Sequence, residues 1–97
     1  MSNLNLIRLL VMYNEDHYRK ALYRNLKSEV KETPNSLVAT ISTDDGEVLK
    51  LELKNDSDYI KATVNLLPND EIKIPVNLAV NNTEKAVDEM WSKFYSL

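Results

Sequence analysis

From Leu37 to Val80 the apolar residues fall on every second position through four successive runs, a constraint that few folds satisfy. Leu37, Ala39 and Ile41 alternate first, then Leu49, Leu51 and Leu53, then Ile60, Ala62, Val64 and Leu66. Ile72, Ile74, Val76, Leu78 and Val80 make the last run. A period of two sends successive side chains to opposite faces of a strand, so each run has one greasy face and one wet face. The residues between (Thr40, Ser42, Lys50, Glu52, Lys61, Thr63, Lys73, Asn77) are mostly polar, as a solvated face requires. The pattern predicts a four-stranded antiparallel sheet with strands over 37–43, 47–54, 58–67 and 71–80.

Turn chemistry falls between the runs. Asp44-Asp45-Gly46 holds the only glycine of the chain, where a tight hairpin needs positive φ. Asn55-Asp56-Ser57 and Pro68-Asn69-Asp70 supply the next two turns. Such short connections imply a meander in the order 1-2-3-4, and Pro75, which lacks a ladder donor, argues for an edge strand.

Residues 4–13 hold eight apolar side chains in ten, rich in the helix formers Leu and Met. They run nearly all the way round, where a surface helix shows a stripe. Such a segment needs cover on more than one side, and the sheet supplies one. Either the chain's own C-terminal helix covers the other, or a second copy or an unidentified protein does. On the partner reading the interface is Leu6, Ile7, Leu10, Val11 and Tyr13. Tyr18, Leu22, Leu26 and Val30 step by four and predict a helix over 15–31. Both one long helix through 4–31 and a break near Asn14 are compatible with the pattern. Thr33-Pro34-Asn35 ends it, because proline drives the preceding residue from the α region. Asn81, Asn82 and Thr83 offer caps for a C-terminal helix whose apolar face is Val87, Met90, Trp91, Phe94 and Leu97.

The 97 residues therefore make one domain of the α+β class in two layers. An N-terminal helical region and a C-terminal amphipathic helix both lie on the apolar face of a four-stranded meander.

Chemistry is sparse. Without cysteine there is no disulfide framework, thiolate nucleophile or thiolate metal site. His17 is the only histidine, and adjacent Glu15 and Asp16 point in other directions on a helix, so a surface His in a helix N-terminal turn is the expectation. A zinc site needs three or four ligands, and the EF-hand spacing is absent from the acidic loops at 44–47 and 55–58. No phosphate loop or nucleophile elbow appears. The expectation is a protein that is not an enzyme and has neither cofactor nor metal.

Charge is uneven. Residues 1–32 carry six basic and four acidic groups, and residues 33–97 carry six lysines against eleven acids. Arg19, Lys20, Arg24, Lys27 and Lys31 would share one face of a helix over 15–31, with Tyr13 and Tyr23 nearby, and could follow a phosphate backbone. Glu29 and Glu32 interrupt that face. A helix, strands and a closing helix resemble the double-stranded RNA-binding domain in outline. The extra strand, and Asn82-Thr83-Glu84-Lys85 where that domain has a basic cluster, depart from it.

No run approaches the roughly 18 apolar residues of a membrane span, and Met1-Ser2-Asn3-Leu4 lacks the basic start of a signal peptide. A cytoplasmic protein is expected. Eleven asparagines, and nine lysines to three arginines, fit a low-GC bacterial or phage coding bias. The functional expectation is a small non-enzymatic protein-interaction module of the phage or mobile-element accessory or inhibitor type, self-associating through its N-terminal helix as a homodimer. The alternative is nucleic-acid binding through the basic helix face.

Overall fold

Five antiparallel strands form the sheet, not four, because a segment that reads as helix pairs onto its edge. The computed structural model describes residues 2–22, 25–64 and 70–96, and the side chains of all of these except 20–22. In chain order the elements are α1 (Asn3–Leu22), β1 (Lys27–Glu32), β2 (Ser36–Thr43), β3 (Gly46–Lys54), β4 (Tyr59–Val64), β5 (Glu71–Pro75), α2 (Val76–Asn81) and α3 (Thr83–Tyr95). Strand order follows the chain, β1-β2-β3-β4-β5. The expected positions 65–67 of the third strand, the turn residues Pro68 and Asn69, and Leu97 lie outside the described residues.

The first correction is β1. Lys27–Glu32 pairs antiparallel with β2 from Lys27↔Ser42 to Glu32↔Leu37, and so the helix over 15–31 does not extend past Leu22. The spacing Leu22, Leu26, Val30 imitates a helix, and Val30 is the only apolar residue of the strand, so alternation was nearly invisible there. Tertiary pairing overrides that local pattern. Without β1, the backbone donors and acceptors along one side of β2 would lose their ladder partners. The Thr33-Pro34-Asn35 turn closes the hairpin, with the Thr33 amide donating to the Ser36 carbonyl at 2.9 Å.

The second correction is at the other edge. Pro75 pairs with Tyr59 at the end of β5, and the chain then enters α2 instead of continuing as strand to 80. Proline removes a ladder donor, and the Val76 amide donates instead to the Asp58 carbonyl at 2.8 Å. Of the expected strand face beyond Pro75, Val76 and Leu78 are half-buried and Val80 is exposed.

One sheet face carries the core. Leu37, Ala39, Ile41, Leu49, Leu51, Leu53, Ile60, Ala62, Val64, Ile72 and Ile74 point there, beneath α1 and α3. Helix α1 is continuous, with no break at Asn14. Leu6, Ile7, Leu10, Val11 and Tyr18, at spacings of three, four and seven, form its inner stripe. Helix α3 contributes Ala86, Val87, Met90, Trp91 and Phe94. Burying each large side chain of these stripes stabilises by about 1.5–3 kcal/mol.

Of the three possible caps, Asn82 is the one used. Its Oδ1 accepts from the Lys85 amide at 3.1 Å, and Glu84 sits in the first turn of α3. Asn82→Ala is expected to cost about 1 kcal/mol, read as a fall in thermal midpoint of about 4–8 °C for a domain of this size. An unchanged midpoint would show the cap to be redundant.

Candidate functional site

The best-defined cluster of polar and aromatic groups lies in the seam between α1 and α3. Asn14 is wholly buried in mid-helix, where a lone polar side chain is costly without partners. Both halves of its amide are satisfied. Nδ2 donates to the Leu10 carbonyl at 2.7 Å, and Oδ1 accepts from Trp91 Nε1 at 2.9 Å. The His17 ring stacks on Trp91, centroids 4.5 Å apart and planes within 11°, with its Nε2 3.3 Å from the Tyr95 hydroxyl. The Tyr18 ring meets Trp91 edge-on at 4.9 Å. His17 thus lies within a long helix and half-buried against the indole, not in an N-terminal turn at the surface.

The burial of Tyr18 pushes its phenol far above the ordinary range, and Tyr95 adds to the rise. An acid whose folded-state pKa is raised contributes stability below its unfolded value, about 10 for tyrosine, and loses it as pH climbs beyond. Urea midpoints should therefore fall above about pH 10, and Tyr18→Phe should flatten that fall. An equally steep fall in the variant would place the effect elsewhere.

Beside this seam is a cleft of about 100 Å³ lined by Tyr13, Asp16, His17, Glu84, Val87 and Asp88. Among the described residues no three His, Asp or Glu side chains are placed to hold a metal. None of the described helices is long and apolar enough to cross a membrane.

The residues singled out from sequence are redistributed. Leu6, Ile7, Leu10 and Val11 are at most 6% exposed and belong to the core of their own chain. Only Tyr13, 37% exposed at the rim of the cleft, faces solvent. The basic group does not share a helix face. Arg19 is on α1, where it pairs with Glu15 at 3.1 Å, while Lys27 and Lys31 are on β1. Arg24 and the side chain of Lys20 lie outside the described residues. On the uncovered side of the sheet Lys31, Val38, Glu52, Lys61 and Lys73 stand in one cross-strand row. Glu29, Thr40, Lys50, Thr63 and Glu71 make the next.

A second surface is not announced by the sequence. Asn5, Arg8, Met12, Asp16 and Arg19 are all exposed and recur at intervals of three and four, so they form the outer stripe of α1. Met12 is 55% exposed at its middle, with half-buried Leu9 beside it. The spacing is present in the sequence, but eight apolar residues in ten over 4–13 mask it, because they run nearly all the way round the helix.

Comparison of the chain with protein-family models, with curated proteins and with solved structures finds no match.

Proposed function

We propose that this chain is a non-enzymatic protein-interaction module that docks through its helical layer. One observation carries the reading. Of the five large apolar side chains left exposed among the described residues, four (Met12, Tyr13, Val80 and Tyr95) are on the helices, and only Tyr59 is on the sheet. Exposed Met and Tyr are residue types enriched at interfaces, and the helical layer also holds the α1–α3 cleft. The uncovered sheet face, by contrast, alternates Lys, Glu and Thr as a solvated surface does.

A photo-crosslinking side chain at position 12 or 95, compared with one at position 61 on the sheet, tests this in cells expressing the protein. Discrete adducts from 12 or 95 and none from 61 are expected. Adducts from 61 alone, or none from any position, would overturn the reading.

Nucleic-acid binding is the second reading, and it now draws on the sheet. Lys27, Lys31, Lys50, Lys61 and Lys73 share the uncovered face, but Glu29, Glu52 and Glu71 stand among them and offset most of that charge. Duplex binding at low salt that weakens steeply as salt rises would support it. No binding at low salt removes it.

A further inference from the structure

We infer that the partner of the outer α1 stripe is a second copy of the same chain, packed antiparallel about a two-fold axis at Met12. This rests on the reading of the helical layer as a docking surface and specifies its occupant. Three features favour a second copy over a foreign partner.

First, the stripe is charge-complementary to itself. Arg8 lies four residues before Met12 and Asp16 four residues after it, about 6 Å to either side at 1.5 Å per residue. A two-fold axis through Met12 brings Arg8 of each copy level with Asp16 of the other. The Met12 side chains meet on the axis, and Leu9 flanks them. Arg8 has no ion pair or hydrogen bond within its own chain among the described residues, so its guanidinium is available for this contact. Second, the stripe carries charges of both signs, with Arg8 and Arg19 against Asp16. Two antiparallel copies therefore bring opposite signs together, whereas a uniformly acidic or basic partner meets like charge along part of the stripe. Third, the other common route to self-association is blocked at both ends of the sheet. The β1 edge reads Lys-Ser-Glu-Val-Lys-Glu and the β5 edge closes on Pro75, both devices that discourage strand addition.

A 20-residue helix is about 30 Å long, and a single helix pair of that length falls in the class of small interfaces, below about 1,200 Å² in total. The dimer is accordingly weak, with dissociation in the micromolar range or above.

Sedimentation velocity across a concentration series tests it on the purified full chain. The wild type is expected to shift from one to two chains with rising concentration. Met12→Asp and Arg8→Glu should each weaken the association about tenfold or more, the equivalent of about 1.4 kcal/mol. Their circular dichroism and Trp91 emission should be unchanged, since both positions are exposed. The charge exchange Arg8→Glu with Asp16→Arg re-forms the pair across the axis and should restore association, which no general loss of folding could do. A wild type that stays monomeric, or a dimer indifferent to Met12→Asp and Arg8→Glu, would overturn the inference. Crosslinks from position 12 to a different protein, with a monomeric wild type, would leave the docking layer standing and remove only the second copy.

Discussion

Replacing Trp91 with alanine is expected to lower stability by about 4–8 kcal/mol, enough to consume most of the margin of a domain of this size. Two losses combine. The indole fills the seam between α1 and α3, against His17, Tyr18 and Phe94 with ring centroids 4.5–5.6 Å away, and truncating a buried aromatic costs about 3–5 kcal/mol. Its Nε1 is also the donor to Asn14 Oδ1, and Asn14 is wholly buried. Removing one partner of a buried hydrogen bond leaves the other unsatisfied, at a further cost of about 1–3 kcal/mol. The Trp91→Phe variant separates these, because it keeps most of the packing and loses only the donor. Urea unfolding followed by far-ultraviolet circular dichroism reads both variants. A loss below about 2 kcal/mol for Trp91→Ala would mean that the seam is far looser than its geometry shows.

Leu10→Asp is expected to unfold the chain, whatever its oligomeric state. Leu10 is 3% exposed and its carbonyl is already the acceptor for Asn14 Nδ2. A carboxylate there has no cationic partner on the inner stripe, and burying an unpaired charge costs several kcal/mol on top of the lost Leu packing, a total above about 4 kcal/mol. Met12, only two residues on, is 55% exposed, and Met12→Asp should leave the fold intact. The contrast between the two reads out which stripe of α1 is core and which is surface. A folded, soluble Leu10→Asp protein would contradict the assignment of Leu10 to the chain's own interior. Position 10 is thus a poor probe of partner binding and position 12 a good one.

What the sequence disclosed depended on whether a segment's pattern was set by burial on one face. The runs in β2, β3 and β4 alternate because every second side chain enters the core, and their order and two-faced character were legible. Helix α3 was legible for the same reason, through Val87, Met90, Trp91 and Phe94. β1 was not. Five of its six side chains are polar or charged, so its strand identity comes from pairing with β2, a long-range cause that local periodicity does not record. The same edge position explains why Lys27 and Lys31 read as helix-face residues and prove to be sheet residues. Alternation from Ile72 to Val80 misled in the opposite sense. It continues across Pro75, where the ladder ends and a short helix takes over with only Ala79 buried.

The functional surfaces were less legible than the fold. In Leu4–Tyr13 the apolar residues on the inner and outer stripes look alike in sequence, and only packing separates Leu6, Ile7, Leu10 and Val11 from Met12 and Tyr13. In the sequence Asn14 reads as a break in the helix, but it is a buried tie to a tryptophan 77 positions away. No local pattern announces such a pair.

The most direct single test is a dilution series followed by the methyl resonances of the methionines in a full-length, ¹³C-methyl-labelled sample. Met12 lies on the outer stripe of α1 and Met90, 2% exposed, lies in the core, so one molecule carries both probe and control. A second copy docked on the outer stripe predicts that the Met12 methyl shifts continuously with protein concentration while Met90 holds still. A Met12 resonance that stays fixed across the whole range, or that moves only in step with Met90, would contradict it.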